Sequence, residues 1–174
     1  ADLFACFMER CHDFTKKDGY QAMITQHAWM FLSSFEKLRI RLLSNDTIIN
    51  MAHLGARAFE EIGGEVVQTT AFVLQPSLYS DYKGTYARLV EPTSQQGKED
   101  MFLGCQHQYL INQSQFDKIP GNPIAYWFKD FSIFDYPRLG SIIDARIGMV
   151  SGNNPRFISY WSEVAFNKKK YGAS

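Results

Sequence analysis

The sequence is poor in the features that would classify it at a glance. Its six prolines include no Pro-Pro pair, and its one Gly-Gly (Gly63, Gly64) follows a helix-like run, not a strand. Its three cysteines, Cys6, Cys11 and Cys105, suit neither a disulfide framework nor a zinc site. Cys6 and Cys11 point to different faces of a helix, and although His12 adjoins Cys11, reduced thiols in a cytoplasmic protein are the simpler reading. Net charge is also missing: 18 basic side chains balance 18 acidic ones, so no global field draws the chain to nucleic acid. Any DNA contact must come from local patches or from other parts of a larger protein. The basic run Lys168-Lys169-Lys170 reads as a solvated tail. No apolar run approaches the length of a membrane span and no signal-peptide pattern is visible, so no membrane partner is expected. What is abundant is core material. Hydrophobic residues make up 45% of the 174 residues and aromatics 15%, which supports one ordinary packed domain, or one and a half small ones, and excludes disorder.

The apolar periodicity resolves into elements. Leu3, Phe4, Phe7, Met8, Cys11 and Phe14 share one helical face, and Lys16-Lys17-Asp18-Gly19 supplies a stop. Tyr20 to Thr25 reads as a short buried strand. A second helix starts from a cap at Ser33 or Ser34, carries the stripe Phe35, Leu38, Leu42, Leu43, and closes at Asn45-Asp46. Thr47 to His53 and Val66 to Leu74 read as strands separated by the loop Leu54 to Glu65. This strand–helix–strand order predicts an α/β domain with a mostly parallel sheet. The last strand is the exception, since its loop is too short for a comfortable helical crossover; it is expected to run antiparallel to its predecessor. Lys83 to Val90 alternates as an edge strand would, Pro92 to Glu99 reads as a surface loop, and Gln108–Ile111 as a short strand. Ile119-Pro120-Gly121-Asn122-Pro123 punctuates the chain as a boundary, dividing 1–118 from 119–174, with a helix expected over Ile124 to Phe131.

The ordered series MITQHAW, FLSSFEKLR, AHLGARAFEEIGGEV and TTAFVL, between Met23 and Leu74, resembles the adenine-specific DNA methyltransferases of BREX-type phage-exclusion systems. More broadly it resembles amino-methylating DNA adenine methyltransferases in which a target-recognition domain follows the catalytic domain. The likeness resumes from about Ile119 to Phe166. No single segment is diagnostic; the order of the segments is. That family carries an Asn-Pro-Pro-Tyr type tetrapeptide for the target amine and a glycine-rich loop for S-adenosylmethionine, and neither is in these 174 residues. The resemblance therefore implies a piece that begins just after the tetrapeptide: the carboxyl-terminal half of a class I S-adenosylmethionine-dependent methyltransferase sheet, followed by the start of a target-recognition domain near Leu139–Gly148. At the turn Ser151–Phe157 relatives show Gly-Asp-Asn where this chain has Asn153, which weakens any carboxylate role there.

In open α/β sheets, ligands bind beyond the carboxyl ends of the strands. Two loops are candidates: Gln26-His27-Ala28-Trp29, and Gly55 to Gly64. Amine methylation needs positioning and polarisation more than a dedicated base, so neither His27 nor His53 is assigned a catalytic role. A DNA methyltransferase must flip its target base out of the stack, and an aromatic ring can restore the lost stacking. By resemblance, Phe59 is the loop aromatic that stacks on the flipped adenine, with Gln26, His27 and Trp29 as further substrate contacts. Phe59 can equally be a core residue on a short helix with Ala58 and Ile62, and Trp29 a core or pocket-wall residue. Arg146 and Arg156 are candidate phosphate contacts, against the alternative of ordinary surface arginines. No metal is expected.

The reading that results is part of a DNA adenine-N6 methyltransferase acting on double-stranded DNA in host modification or phage defence. It would use S-adenosylmethionine in the whole protein and work beside other defence-system proteins. The piece alone is expected to be inactive and to expose an apolar edge or face through which it could self-associate. A non-catalytic DNA-binding or assembly module with a methyltransferase-like half-sheet is the main alternative, and a methyltransferase for a non-DNA substrate the weaker one.

Overall fold

A computed structural model describes residues 2–59, 67–137 and 139–144. The chain divides into two compact units, Ala1–Tyr136 and Pro137–Ser174. Residues 119–136, including the turn expected as a boundary, therefore pack with the first unit. In the second unit the described residues form a short helix, α4 (Leu139–Ile142). Arg146, Asn153, Arg156 and the lysine run lie outside the described residues.

In the first unit, α1 (Leu3–Phe14) starts where the Asp2 carboxylate accepts the Leu3 N–H at 2.8 Å. It ends at Thr15, whose hydroxyl bonds back to the Cys11 carbonyl, so Lys16 and Lys17 lie beyond the helix. After β1 (Gln21–Gln26) come two 3-10 turns, His27–Met30 and Ser33–Phe35, and then α2 (Glu36–Asn45). The expected serine cap is absent: Ser33 and Ser34 are inside the second turn, and Phe35 precedes α2 without a side-chain cap. β2 (Thr47–Gly55), β3 (Thr69–Gln75), β4 (Lys83–Arg88) and β5 (Gln108–Asn112) complete a five-stranded sheet in the order β1-β3-β2-β4-β5.

The α/β expectation holds, and β3 is antiparallel to β2 as its short connection predicted. The sheet is mixed, as the resemblance implied, but it is not mostly parallel: β2–β4 is the parallel pair, while β1–β3, β3–β2 and β4–β5 are antiparallel. The reason is the position of β3. The crossover through α2 does send β1 and β2 in the same direction, but β3 lies between them and pairs with both. Lys83–Arg88 is an inner strand, and the edges are β1 and β5. β1 is accordingly half-covered, with Ala22, Ile24 and Gln26 exposed. Residues 95–103, read partly as a loop, form the helix α3 (Gln95–Leu103), because the Ser94 hydroxyl caps the Gly97 N–H at 3.1 Å. The expected helix over 124–131 is irregular instead: the Ile124 N–H is taken by the Met30 carbonyl at 2.9 Å, which ties the segment to the loop after β1.

Across the strands the register sets up alternating rows. Met23, Phe72, Met51, Tyr86 and Tyr109 form one, on the face covered by α1, α2 and residues 113–134. Toward the carboxyl ends of β1, β2 and β4, the next row on that face is polar: Thr25, Thr70, His53 and Arg88. The row between them, on the opposite face, is Ile24, Ala71, Ala52, Ala87 and Gln108. That face holds an open concavity of about 600 Å³, with α3 contributing Phe102 at one corner.

Three buried polar side chains fasten the connections. Arg39, 1% exposed on the apolar stripe of α2, donates to the carbonyls of Trp29 (2.8 Å), Leu32 (2.7 Å) and Gly121 (2.6 and 3.0 Å). Gln113 accepts the Ile48 N–H beside a bulge in β2 and donates to the Leu43 and Asp46 carbonyls. Lys98 of α3 donates to the carbonyls of Leu54 and Leu89, both at 2.7 Å. Each satisfies main-chain acceptors that burial would otherwise leave unpaired.

Candidate functional site at the carboxyl edge of the sheet

β1, β2 and β4 all end at one edge, where α/β sheets place ligands. Gln26 is the last residue of β1 and is exposed. His27 follows it, half-buried, with its main-chain N–H bonded to the Gln68 carbonyl at 2.9 Å. A second register shift, between His53 and Gly55, bends the end of β2. Such bulges re-aim side chains. Gly55, at φ +68°, allows the chain to turn against Val90, whose Cγ1 a side chain here would meet at 3.0 Å.

The two histidines meet, which the sequence did not announce. His27 Nδ1 lies 2.7 Å from His53 Nε2, and His53 Nδ1 lies 2.9 Å from the Tyr126 hydroxyl. Tyr126 is fully buried and stacks on Tyr86 at 5.1 Å. The Phe31 ring stands edge-on to His27 at 5.7 Å, an 87° contact that limits rotation of the imidazole. Arg88 lies beside the Tyr126 oxygen, over the Trp127 ring at 5.3 Å, and is paired to Glu91 at 2.9 Å.

These neighbours assign the protons. A guanidinium only donates, so Arg88 offers no acceptor to the phenol, and the phenol proton goes to His53 Nδ1. Leaving it unpaired in this buried setting would cost about 1–3 kcal/mol. Burial, reinforced by His27 and Arg88, pushes the His53 imidazole down to about 3, so it is neutral with its one proton on Nε2. That proton is donated to His27 Nδ1. Burial also lowers His27, whose remaining proton is thereby left on Nε2. Among the described residues nothing accepts it.

Of the other expected site residues, Phe59 is 41% exposed in the loop after β2, so it is not a core residue packed between helix and sheet. Its neighbours Glu60, Glu61, Ile62 and Glu65 lie outside the described residues. Trp29 is a correction. It is fully buried, its Nε1–H bonds to Thr25 Oγ1 at 3.1 Å, and its ring meets Phe72 edge-on at 5.3 Å. It holds the loop down from inside and has no face left for a substrate. Tyr126 and Arg88 were missed because the contacts that bring them to this edge, Tyr126 with His53 and Arg88 with Tyr126 and Trp127, join residues distant in sequence. Arg39 left a trace, standing among Phe35, Leu38, Leu42 and Leu43 on the stripe that faces the core. The glycine at this edge, Gly55, backs onto Val90.

The class of protein comes from its likeness to known sequences. Residues 1–59 match the family described as Eco57I restriction-modification methylase. Across almost the whole chain, 53% identity over 178 residues links it to the adenine-specific methyltransferase PglX of Lacticaseibacillus casei (strain Zhang), covering 97% of this chain and 15% of that protein. The adenine-specific methyltransferase BrxX of Escherichia coli O9:H4 (strain HS) is 41% identical over 171 residues, covering 96% of this chain and 14% of its own length. The chain is thus homologous, over most of its length, to a segment of the BREX-type adenine-specific methyltransferases, and it spans about one-seventh of these relatives.

Proposed function

We propose that this chain is the part of a DNA adenine-N6 methyltransferase that forms one wall of the target-base pocket, with residues beyond Tyr136 leading toward a target-recognition domain. The observation that carries the reading is the 53% identity to an adenine-specific methyltransferase over 97% of the chain. The geometry supports it, since exposed Gln26 ends β1, and half-buried His27 and 41%-exposed Phe59 follow strands that end at the same edge. In the whole enzyme S-adenosylmethionine, held by segments other than these, supplies the methyl group. This chain's residues bind and orient the base. Phe59 stacks on the flipped adenine, and Gln26 and His27 offer polar groups at its rim. Arg146 and Arg156 approach the DNA backbone. The substrate is host double-stranded DNA, marked in the cytoplasm in the course of phage defence alongside other proteins of the system. No helix among the described residues is long and apolar enough to cross a membrane.

The test is methyl transfer by the full-length protein to duplex DNA, read as N6-methyladenine. Phe59→Ala is expected to lower transfer by the equivalent of about 1–3 kcal/mol, the worth of one base–aromatic stack, with cofactor affinity kept. The isolated chain should show no micromolar binding of S-adenosylmethionine by calorimetry. A full-length protein that binds DNA without methylating it would favour the non-catalytic module.

A further inference from the structure

We propose that Tyr126 and His53 are positioning residues which fix His27 as an Nε2–H donor to a ring-nitrogen acceptor of the target adenine. The proposal rests on the methyltransferase reading and adds to it a base-orienting contact with its own support. Three features of the geometry carry it. His27 stands directly after β1 at the ligand-binding edge, and its Nε2 has no partner among the described residues. Its ring is held by its main-chain bond to Gln68, by His53 and by Phe31. The chain of bonds runs one way, from the Tyr126 hydroxyl through His53 to His27, because Arg88 beside the phenol can only donate. A histidine with a free Nδ1 or a free rotor could serve as acceptor or donor. This one is limited to donating, which selects a ligand edge that carries a lone pair.

Uncharged heteroaromatic nitrogen fits that donor better than phosphate. Burial disfavours a charged imidazole at His27, whereas a phosphate contact would call for one. The neighbouring rings of Phe31 and Trp127, in contact at 5.5 Å, give the edge an aromatic lining suited to a base. No proton is transferred in this contact; the imidazole donates a hydrogen bond and keeps its hydrogen.

Two measurements test it. The first is nitrogen-15 NMR of the chain labelled in its four histidines, His12, His27, His53 and His107, assigned by single substitutions. His27 and His53 should each show one protonated nitrogen, Nε2, and one unprotonated nitrogen, Nδ1. Tyr126→Phe, which keeps the buried ring, should bring the two His27 resonances toward an averaged position. A proton on His27 Nδ1, or no response to Tyr126→Phe, overturns the relay. The second uses the full-length enzyme on duplexes whose target adenine is replaced by its 1-deaza, 3-deaza or 7-deaza analogue. One of the three should cost about tenfold or more in kcat/KM, and His27→Leu should abolish the difference between that analogue and adenine. His27→Gln, whose amide keeps a donor at similar reach, should restore it. Equal losses for all three analogues in wild type and His27→Leu would remove the base contact; sensitivity to a neutralised backbone phosphate instead would reassign the donor. If wild-type enzyme methylates no adenine duplex at all, the function reading fails, and the base contact fails with it even where the NMR supports the relay.

Discussion

The two faces of this sheet are built from different vocabularies. One is filled with large side chains, Met51, Phe72, Tyr86, Trp29 and Tyr126 among them, all at most 2% exposed. The other presents Ala22, Ala52, Ala71 and Ala87 along an open concavity of about 600 Å³. The difference separates what this chain does for itself from what it leaves open. The covered face contains the core that orders the strands, and at its carboxyl edge it turns polar to make the His27–His53–Tyr126 relay. The barer face carries Ile24, Ile49, Val73 and Phe102 beside these alanines, and its concavity stays open in this chain.

The largest test of this contrast is Trp29→Ala. It removes a fully buried indole and its bond to Thr25, and should cost about 3–5 kcal/mol in urea unfolding. A loss of substrate affinity with stability kept would return Trp29 to the pocket. Next comes pH. Unfolded histidine takes up a proton near pH 6.5, while folded His53 stays neutral to about pH 3. Between those values the unfolded chain binds more protons, so stability should fall as pH falls, by up to about 1.4 kcal/mol per pH unit for this group. His27 adds in the same direction, whereas Asp46, raised by burial, opposes it at the acid end. His53→Phe should flatten the slope between pH 6.5 and 4.5. Arg39→Leu should cost about 1–3 kcal/mol, because it leaves the carbonyls of Trp29, Leu32 and Gly121 without their donor. The smallest effect belongs to the bare face: Ala71→Leu should stay within about 0.5 kcal/mol in the isolated chain. If the same change costs about 1–3 kcal/mol in the full-length protein, other segments pack on this face there.

The sequence revealed the strands of the core face far better than their neighbours. Thr47–Gly55, Thr69–Gln75 and Lys83–Arg88 carry β-branched and alternating residues, so their existence followed from local chemistry. Strand order did not, because β4 is made an inner strand by its pairing with β2 and β5, partners remote in sequence that its own alternation does not announce. The segment 124–131 looked helical from Pro123 and its apolar content. Its fate was decided by one acceptor, the Met30 carbonyl, supplied from far away in sequence. The relay was hidden for the same reason: His27, His53 and Tyr126 come from three separate stretches, and nothing in the spacing of any one of them points to the others. Phe59 was reached through family resemblance and His27 through its place in the loop after β1; Phe59 is 41% exposed, and His27 is half-buried against His53.

The placement of β3 also constrains how the chain can assemble. β1 and β2 precede β3 in the chain and are joined through α2, yet they cannot zip together in the native sheet, because the space between them belongs to the later strand. Their facing edges stay unpaired, one strand's width apart, until Thr69–Gln75 fills the gap. Premature pairing of β1 with β2 would be a trap, and non-local closure of this kind slows folding. β3 therefore acts as the keystone in time as well as in space: truncation before Thr69 should leave a chain that aggregates during synthesis, while truncation after Gln75 should leave one in which β1, β3 and β2 can close.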